Sequence, residues 1–361
     1  MAYLTEMIPC GVICMVAKKS KDELSELKQE VLGLMKKVPG SMGVYIKHIE
    51  RHEEISIEAE KIFPLGSIFQ IPIMVEVFRQ VEKQRLSLDD KIELTDGVKS
   101  VGSGILQFLS PGLTISVTDL LVLMMTVSDN TATDILWKKI GVQSVNMMLR
   151  ELGFTRTNCY IPNREYYLLS LLLGQEFEGM TMSELVQSWK NKSQMDKSRS
   201  MAAIDLKYSR TLPIEEFRTR YEAMYGRRGE KRFQQKRSFD EVADNQGSPR
   251  EIGSLLEKIF LGEVASPNFC QKMLGIMLLR QDENMVSFLL PAEIPVSGKG
   301  GWLAGTCNDA GIVYVNPKSH FVIACLARKL NHGDETKASD IIEKISKKVY
   351  DYYSHVSLGK P

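Results

Sequence analysis

Hydrophobic positions along the chain recur with two different periods, and these periods divide it into predicted helices and strands. Over residues 20–38, leucine and valine recur at helical spacing, which predicts an amphipathic helix. Apolar and polar residues then alternate in two short runs over residues 41–60, which is typical of antiparallel strands. From Ser67 onward the helical period returns, and Pro72 fits this helix because proline is tolerated near a helix start.

The same patterns predict further helices in the middle of the chain. Residues 115–141 contain two apolar helical segments, which are interrupted by the polar triplet at 128–130. Thr118 is the predicted N-cap of the first segment, and Gly141 is the predicted end of the second. Residues 142–153 predict another helix, which ends at a glycine.

The C-terminal part of the chain returns to strands and then to a helix. Residues 311–316 and 320–328 are strand-like, and residues 335–353 have helical spacing. The order is therefore helix, strands, many helices, strands and helix. This order favours an α+β fold, in which helices flank an antiparallel sheet and a helical lobe is inserted in the middle.

Residues 175–245 differ in composition from the rest of the chain, since they are polar and helix-prone. They include a cluster of basic residues: Arg227, Arg228, Lys231, Arg232, Lys236 and Arg237. One interpretation of this cluster is a solvated surface, and the other is a lid or a docking surface for an anionic partner or substrate. No nucleic-acid-binding pattern accompanies it.

Composition limits the partners that the sequence predicts. The chain has 361 residues and a formal net charge of +1, which gives no global reason to expect nucleic acid. No run of about eighteen apolar residues occurs, and charges flank the N-terminal apolar run in the reverse of the order of a secretory signal. We therefore predict a cytoplasmic protein without a membrane partner.

The cysteines do not have the paired spacing of a metal site. They are Cys10, Cys14, Cys159, Cys270, Cys307 and Cys325. A tetrahedral zinc site needs four ligands, and no second Cys or His pair follows Cys10 and Cys14 at a useful distance. The sequence therefore predicts mostly buried thiols in a reducing compartment, and it predicts no metal and no cofactor.

Three short segments carry candidate chemistry. Ser67 lies at a predicted helix start, where backbone N–H groups and the helix dipole favour an anionic oxygen. The triplet Ser128–Asn130 places polar residues where packing alone would favour leucine. Lys299 is followed by Gly300 and Gly301, and two glycines at a sheet edge allow a substrate carbonyl to approach closely.

The order and spacing of these segments resemble the serine β-lactamase and penicillin-binding-protein superfamily. The resemblance is to its class A branch, whose motifs are S-x-x-K, S-D-N and K-T-G. Residues 63–78, FPLGSIFQIPIMVEVF, are similar to the class A nucleophile helix. Residues 113–136 are similar to the segment that leads through the S-D-N loop, and the similarity extends over roughly residues 40–170 and 245–350.

The resemblance also implies a fold and a domain organisation. It implies an α/β/α sandwich-like architecture, with a five-stranded antiparallel sheet flanked by helices and a helical lobe. An N-terminal segment and helix would occupy residues 1–38, and one β-lactamase-like domain would occupy residues 39–361. The helical basic insertion would lie within that domain, at about residues 175–245.

For the reacting groups, the resemblance implies the following roles. Ser67 would be the acylated nucleophile, and its own N–H and that of Trp302 would form the oxyanion hole. Ser128 would relay a proton towards the leaving group. Lys299 would make the Ser128 proton easier to lose and would hold a substrate carboxylate.

For substrate binding, the resemblance implies roles for residues beside these groups. Asn130 would hydrogen-bond an amide of the substrate, and Gly300 and Gly301 would give the substrate room at the sheet edge. Asp129 would hold its loop together rather than touch the substrate.

Two departures from the family pattern fall on proton transfer. The family's lysine, three residues after the nucleophile, is Gln70 here, and an amide cannot accept a proton at neutral pH. The family's deacylating glutamate lies in an E-x-x-L-N run that residues 157–174 do not contain. Glu165 is the nearby acid, and its two interpretations are a catalytic role and a salt bridge to a neighbouring arginine.

Two classes of function stay open. The first is a serine hydrolase that acts on a small-molecule amide, lactam or ester through a Ser67 acyl-enzyme, without efficient β-lactamase activity. The second is a catalytically inactive binding protein with the β-lactamase fold. The intact nucleophile segment favours the hydrolase, which we predict, and Gln70 favours the binding protein.

Overall fold

The protein is described by a computed structural model, which covers residues 21–209, 211–226, 229–281 and 285–354. Within these ranges no helix has the length and apolar character needed to cross a membrane. The helices are α1 (Lys21–Met35), α2 (Gln70–Glu82), α3 (Val117–Thr126), α4 (Asn130–Ile140), α5 (Val142–Glu151), α6 (Asn163–Ser170), α7 (Met182–Asn191), α8 (Gln194–Tyr208), α9 (Ile214–Tyr225), α10 (Glu230–Ala243), α11 (Pro249–Phe260), α12 (Pro267–Leu278), α13 (Met285–Phe288) and α14 (Asp334–Ser354). The strands are β1 (Ser41–His48), β2 (Glu53–Ile57), β3 (Phe63–Pro64), β4 (Lys91–Glu93), β5 (Thr114–Ser116), β6 (Gln246–Gly247), β7 (Val296–Leu303), β8 (Thr306–Asn316) and β9 (Ser319–Arg328).

The chain forms two compact units. The first unit combines the residues up to 63 with the residues from 247 onward, and the second is formed by residues 64–246. The chain leaves the first unit at β3 and returns to it at β6. The second unit is therefore a single continuous segment between two parts of the first.

The first unit is built on a five-stranded antiparallel sheet in the order β2-β1-β9-β8-β7. At the centre of β1, Tyr45 lies opposite Ser56 of β2 and Ala324 of β9. The sheet thus pairs a strand from the start of the chain with one from its end. This arrangement confirms the predicted α+β class with a five-stranded antiparallel sheet.

Successive side chains of β1 enter two different layers of the first unit, as strand geometry requires. Val44 and Ile46 are fully buried in an apolar cluster that also contains residues of α1 and α14. Tyr45 points the other way and lies against Gly253 of α11, where an added Cβ would collide with the ring. Burial of each such side chain contributes about 1.5–3 kcal/mol, so a charge at Val44 would disrupt the sheet.

The second unit is organised around α2, which packs against α3, α4 and α5. Every residue of α2 from Gln70 to Phe78 is buried, because neighbouring helices surround it. The predicted N-cap Thr118 is wrong, since Ser116 has the extended backbone and accepts a hydrogen bond from the Asp119 amide at 3.0 Å. Gly141 ends α4 with a φ of 87°, which confirms that prediction.

The predicted insertion contains α7 to α10, in which α7 packs on α10, while α8 and α10 pack on α6. A capping box formed by Thr181 and Glu184 begins α7. Trp189, Phe217 and Phe239, from α7, α9 and α10, are fully buried. The insertion therefore has apolar anchors of its own. Arg227 and Arg228 of the predicted basic cluster lie outside the described residues.

Candidate active site

Ser67 lies in a 3-10 turn, Gly66–Phe69, that leads directly into α2. Gly66 has a φ of 51°, a left-handed conformation that favours glycine. The first hydrogen bond of the turn joins the Ile68 amide to the Leu65 carbonyl at 3.3 Å. The Ser67 amide is therefore one of the N–H groups at the helix start that have no partner within the helix. Ser67 is half-buried at a helix start whose dipole favours negative charge on its oxygen.

The residue before Ser67 is held by the end of the insertion. The Gly66 amide donates to Oδ2 of Asp244 at 2.9 Å, and Asp244 is the C-cap of α10. Burial raises the pKa of Asp244 to about 7, although the Gly66 amide opposes this by stabilising the carboxylate. Sequence analysis missed Asp244, because no local pattern indicates a contact between residues 178 positions apart.

Gln70 is fully buried, and its amide is hydrogen-bonded at both ends. Nε2 donates to Oγ1 of Thr133 at 3.0 Å, and Oε1 accepts from Oγ of Ser128 at 3.3 Å. This use of one donor and one acceptor suits an amide, whereas a lysine has donors only. We call Gln70, Ser128 and Thr133 the neutral cluster. In it, Gln70 holds the Ser128 hydroxyl and has no capacity to take its proton.

Ser128 lies in the link between α3 and α4 with a φ of 55°. A residue other than glycine in this left-handed region costs roughly 1–2 kcal/mol, so the surrounding bonds must enforce the conformation. Asp129 supplies them, because its Oδ1 accepts from the Ala132 amide at 2.9 Å and its Oδ2 accepts from the Ile105 and Leu106 amides at 2.7 and 2.9 Å. These bonds agree with the predicted structural role of Asp129.

Asn130 is buried against the loop that precedes β5. Its Nδ2 donates to the Val101 carbonyl at 2.9 Å, and its side chain and the Tyr167 hydroxyl both border Gly102. A Cβ at Gly102 would lie 2.6 Å from Nδ2 of Asn130 and 2.7 Å from that hydroxyl, so only glycine fits there. Asn130 is thus held by the Val101 carbonyl beside Gly102, and a hydrogen bond from Asn130 to substrate stays a prediction.

Glu165 forms an ion pair with Lys138 of α4, so the predicted partner, a neighbouring arginine, is wrong. Nζ of Lys138 lies 2.6 Å from Oε1 of Glu165 and 2.8 Å from Oδ1 of Asp205. Arg164, the arginine next in sequence, directs its guanidinium at backbone carbonyls, including that of Lys99 at 2.5 Å. Burial raises the pKa of Glu165, and the Lys138 charge opposes this. We call Lys138, Glu165 and Asp205 the charged cluster.

Tyr166, the next residue of α6, is linked to the insertion. Its hydroxyl donates to Oδ1 of Asp240 and accepts from Nζ of Lys236 at 2.6 Å. Burial, followed by the Asp240 charge, raises the pKa of Tyr166, so the hydroxyl stays neutral. The side chain of Lys236 is only 14% exposed, which contradicts the solvated-surface interpretation for this member of the basic cluster. Its spacing of four from Asp240 is the one local signal of this network.

The first unit contains the other predicted site residues, which all lie in β7. Lys299 is fully buried opposite Ala310 of β8, and its Nζ donates to the carbonyl of Gly300 at 3.0 Å. Gly301 follows in the same strand, and Trp302 is 37% exposed near its end. The K-G-G segment is therefore on a sheet strand, and the roles of its residues towards substrate stay predictions.

The structure brings some of the predicted residues together. Gln70, one helical turn after Ser67, is hydrogen-bonded to Ser128. Glu165 forms an ion pair with Lys138. In the described ranges, no three His, Cys, Asp or Glu side chains are arranged to hold a metal ion. The described cysteines are buried, and Cys10 and Cys14 lie outside the described residues.

Comparison with known proteins gives one family match and two partial relatives. A family model described as the beta-lactamase enzyme family matches residues 26–353. Beta-lactamase VEB-1 of Pseudomonas aeruginosa is 29% identical over 139 residues, which are 38% of this chain and 46% of that protein. The beta-lactamase regulatory protein BlaB of Streptomyces cacaoi is 28% identical over 111 residues, which are 30% of this chain and 35% of that protein. The match spans less than half the length of either relative.

Solved structures of similar fold cover more of the chain. A variant of PBP-A, as its acyl-enzyme complex with penicillin G, is 20% identical and has a TM-score of 0.67, over 92% of this chain and 97% of that chain. A beta-lactamase from Sphaerobacter thermophilus is 20% identical and has a TM-score of 0.64, over 92% and 96%. These structures show a shared fold. Because the family model also spans most of the sequence, the chain belongs to the beta-lactamase enzyme family, within the serine β-lactamase and penicillin-binding-protein superfamily.

Proposed function

We propose that this chain is a serine hydrolase of low turnover, which forms an acyl-enzyme on Ser67 with a small-molecule amide, lactam or ester. The observation that carries the proposal is the 3.3 Å contact between Oγ of Ser128 and Oε1 of Gln70. The side chain one turn after the nucleophile thereby fixes the hydroxyl that serves as the proton relay. Serine, relay and helix start remain, although the amine base is absent.

In the proposed reaction, Oγ of Ser67 bonds to the acyl carbon, and the bond from that carbon to the leaving group breaks. The Ser67 proton passes to Oγ of Ser128, and the original Ser128 proton leaves its hydrogen bond to Oε1 of Gln70 and passes to the leaving group. Both serine oxygens are neutral at the end of this step. Gln70 orients Ser128 but takes no proton, because its amide is not basic at neutral pH.

The missing base limits which substrates react. General-base assistance contributes about 10²–10⁴-fold to rate, whereas serine hydrolases that have lost a triad member retain about 10³–10⁴-fold over water. The substrate must therefore be more reactive than a peptide. A strained lactam or an activated ester meets this requirement, because less proton removal from the nucleophile is needed.

Deacylation is the second limit. Glu165 is paired with Lys138, and the Tyr166 hydroxyl is bonded to Asp240 and Lys236. The ammonium group of Lys138 holds Oε1 of Glu165 and opposes protonation of this carboxylate, and the Tyr166 phenol stays neutral, so we expect activation of water to be slow. We therefore expect a long-lived acyl-enzyme and inefficient β-lactam hydrolysis.

A non-catalytic binding protein is the second candidate function. Gln70 favours it, because the amide is buried and hydrogen-bonded at both ends, as a fixed part of a neutral pocket wall. In that case, the Ser67 hydroxyl would hydrogen-bond a ligand without being acylated.

Intact-mass analysis tests the proposal. Wild type, Ser67→Ala and Ser128→Ala are incubated with a fluorophosphonate probe and with penicillin. We expect one adduct in wild type, no adduct in Ser67→Ala, and slower labelling in Ser128→Ala. The wild-type penicillin adduct should persist for hours. Absence of any adduct, or an equal adduct in Ser67→Ala, would reject the hydrolase; calorimetric binding of penicillin without an adduct would favour the binding protein.

A further inference from the structure

The end of the insertion holds the turn that carries Ser67 through two hydrogen bonds. The Gly66 amide donates to Oδ2 of Asp244 at 2.9 Å, and the Leu65 amide donates to the Asn245 carbonyl at 2.8 Å. Asp244 is the C-cap of α10, and Asn245 follows it. The two residues that precede Ser67 are therefore fixed by two consecutive residues at the end of one helix.

Asn245 is itself anchored to the segment that precedes α6. Its Oδ1 accepts from the Tyr160 and Ile161 amides at 2.8 and 3.1 Å, and its Nδ2 donates to the Ile161 carbonyl at 3.0 Å. Asp244 is 4% exposed and Asn245 is 1% exposed. Because both residues are buried, water does not compete for the bonds that hold the Ser67 turn.

The charge of Asp244 depends on its surroundings in three elements. Burial raises the pKa of Asp244 to about 7, the Gly66 and Asn245 amides oppose this, the Asp240 charge adds to it, and the Lys236 charge opposes it. The other titratable groups that respond to the Asp244 charge are a thiol and three phenols: Cys159, Tyr160, Tyr166 and Tyr167. Burial raises the pKa of each of these four groups, so they stay neutral while Asp244 loses its proton.

A charge on Asp244 matters because negative charge develops beside Ser67 during acylation. The acyl oxygen becomes an oxyanion, which the Ser67 amide stabilises. This amide directly follows the Gly66 amide in the chain, so the oxyanion lies within about 9 Å of the Asp244 carboxylate. Repulsion between two negative charges at this distance lowers a rate by about two- to twentyfold. A protonated Asp244 still accepts from the Gly66 amide, and it adds no such repulsion.

We propose that Asp244 is a positioning residue for Ser67, which holds the turn through Gly66 and, as a carboxylate, slows formation of the oxyanion. The effect on rate rests on the proposed function of Ser67, whereas the positioning of the turn rests on the contact itself. Acylation is then faster when Asp244 carries a proton. The insertion thereby sets how the reactivity of Ser67 depends on pH.

The first test is the ratio of the acylation rate of Asp244→Asn to that of wild type. The amide oxygen of asparagine keeps the bond from the Gly66 amide, but the side chain has no proton to lose in this pH range. Acylation by 4-nitrophenyl acetate is followed by intact mass from pH 5 to 9, with Ser67→Ala as the background. We expect the ratio to rise by about two- to twentyfold across this range. A constant ratio would overturn the proposal, because a merely structural role gives no dependence of the ratio on pH.

Two variants of α10 change the charge state of Asp244 without replacing it, so they serve even if Asp244→Asn does not fold. Lys236→Met removes a charge that lowers the pKa of Asp244, and acylation near pH 7 should become faster relative to wild type. Asp240→Asn removes a charge that raises this pKa, and acylation near pH 7 should become slower. Lys231→Met is the matched control, because Lys231 is an exposed cation of the same helix, and its ratio should not depend on pH. Effects of the same sign in Lys236→Met and Asp240→Asn would overturn the proposal.

The Gly66 amide gives a readout that does not depend on hydrolysis. Its NMR signal is followed from pH 5 to 9 in protein with isotope-labelled glycine, and we expect a shift with a midpoint at about 7 that Asp244→Asn abolishes. Such a shift supports the positioning role even if no ester acylates wild type, which would reject only the hydrolase. A Gly66 signal that does not titrate overturns the proposal even if Ser67 is acylated.

Discussion

The neutral and charged clusters of the second unit are both anchored on α4, and they bury polar groups in opposite ways. In the neutral cluster an amide joins two hydroxyls, and no member carries a charge. In the charged cluster one ammonium group joins two carboxylates from α6 and α8. The clusters are close in sequence on α4, since Thr133 and Lys138 are five residues apart.

The difference shows that the half-buried amine of Lys138 belongs to the charged cluster. The resemblance to class A enzymes implies an amine beside the nucleophile, where Gln70 stands. The amine of Lys138 serves instead to connect three helices, and its charge offsets Glu165. A buried ion pair contributes to stability only if both partners remain, whereas a neutral amide network needs no counter-charge. We expect the charged cluster to govern stability and the neutral cluster to govern reactivity.

The largest expected effect is the loss of the ammonium group that pairs with the buried Glu165. Lys138→Met leaves Glu165 without its partner, and at pH 8 we expect the free energy of unfolding to fall by about 3 kcal/mol. At pH 5 the loss should be less than half of this, because burial raises the pKa of Glu165 and its carboxyl then carries a proton in either protein. Urea unfolding at both pH values measures the difference.

Two companion variants sharpen this result. Lys139→Met is the matched control, since Lys139 is exposed and its substitution strands no buried carboxylate. Adding Glu165→Gln to Lys138→Met should recover part of the loss at pH 8, because the buried carboxylate in contact with Lys138 is then replaced by a neutral amide. An equal loss at pH 5 and pH 8 would mean that packing, and not the charge, is what Lys138 contributes.

The second prediction restores an amine to the neutral cluster. Gln70→Lys should raise the rate of Ser67 acylation at least about tenfold, because the new amine lies one helical turn from the hydroxyl. No member of the cluster is acidic, so burial would lower the pKa of the new ammonium group towards neutrality. Labelling by an activated ester and a β-lactam from pH 6 to 9 measures the change, which Ser67→Ala should abolish.

Gln70→Met controls for the loss of the amide, since it has similar length and cannot hold Ser128 or accept a proton. We expect it to label no faster than wild type. Faster labelling by the natural protein than by Gln70→Lys would show that the glutamine belongs to a different mechanism. No labelling of either protein would show a cleft used for binding alone.

The fold was predictable because its main elements have strong, local hydrophobic periods. The alternation in β1 and β2 and the apolar runs of β8 and β9 specified strands that pair as expected. Where a choice depended on backbone conformation, the sequence was less decisive. Ser116 and Thr118 are both competent N-caps by composition, and only the extended backbone at Ser116 distinguishes them.

The site was predictable only in part, because several of its contacts come from the insertion. Asp244 reaches Gly66 and Lys236 reaches Tyr166 across long sequence separations. The sequence shows that Asp244 and Lys236 are charged, but it does not show whether their side chains point into the protein. Glu165 illustrates the limit, since an arginine precedes it in sequence while its actual partner lies on α4.

The third prediction uses pH to separate the two clusters. The pKa of Glu165 is raised above its ordinary value of 4.5 in the folded protein. Between pH 4.5 and the raised pKa, the Glu165 carboxyl therefore carries a proton in the folded state but has lost it in the unfolded chain. The contribution of Glu165 to the free energy of unfolding therefore falls as pH rises from 4.5 through the raised pKa. Glu165→Gln should flatten this decline by at most about 1.4 kcal/mol per pH unit.

Unfolding by urea at pH 5, 6, 7 and 8 checks this slope. Gln70→Met is the comparison from the neutral cluster, and it should leave the slope as in wild type because no titrating group is changed. An equal flattening in both variants would contradict the division into a charged and a neutral cluster.

The smallest expected effect is on the rate of Ser67 acylation, in a variant whose loss of stability equals that of its control. Thr133→Val keeps the shape of the side chain but removes the hydroxyl that accepts from Gln70 and donates to the Asp129 carbonyl. Thr131→Val is matched to it, because Thr131 is on the same helix and its hydroxyl makes two hydrogen bonds to the backbone of Ser100. Each variant should lose about 1–2 kcal/mol of unfolding free energy. Only Thr133→Val should also slow acylation of Ser67, by about threefold, since a loosened Gln70 no longer fixes the Ser128 hydroxyl. Equal acylation rates in the two variants would mean that the neutral cluster is structural and that Ser128 is positioned by Asp129 alone.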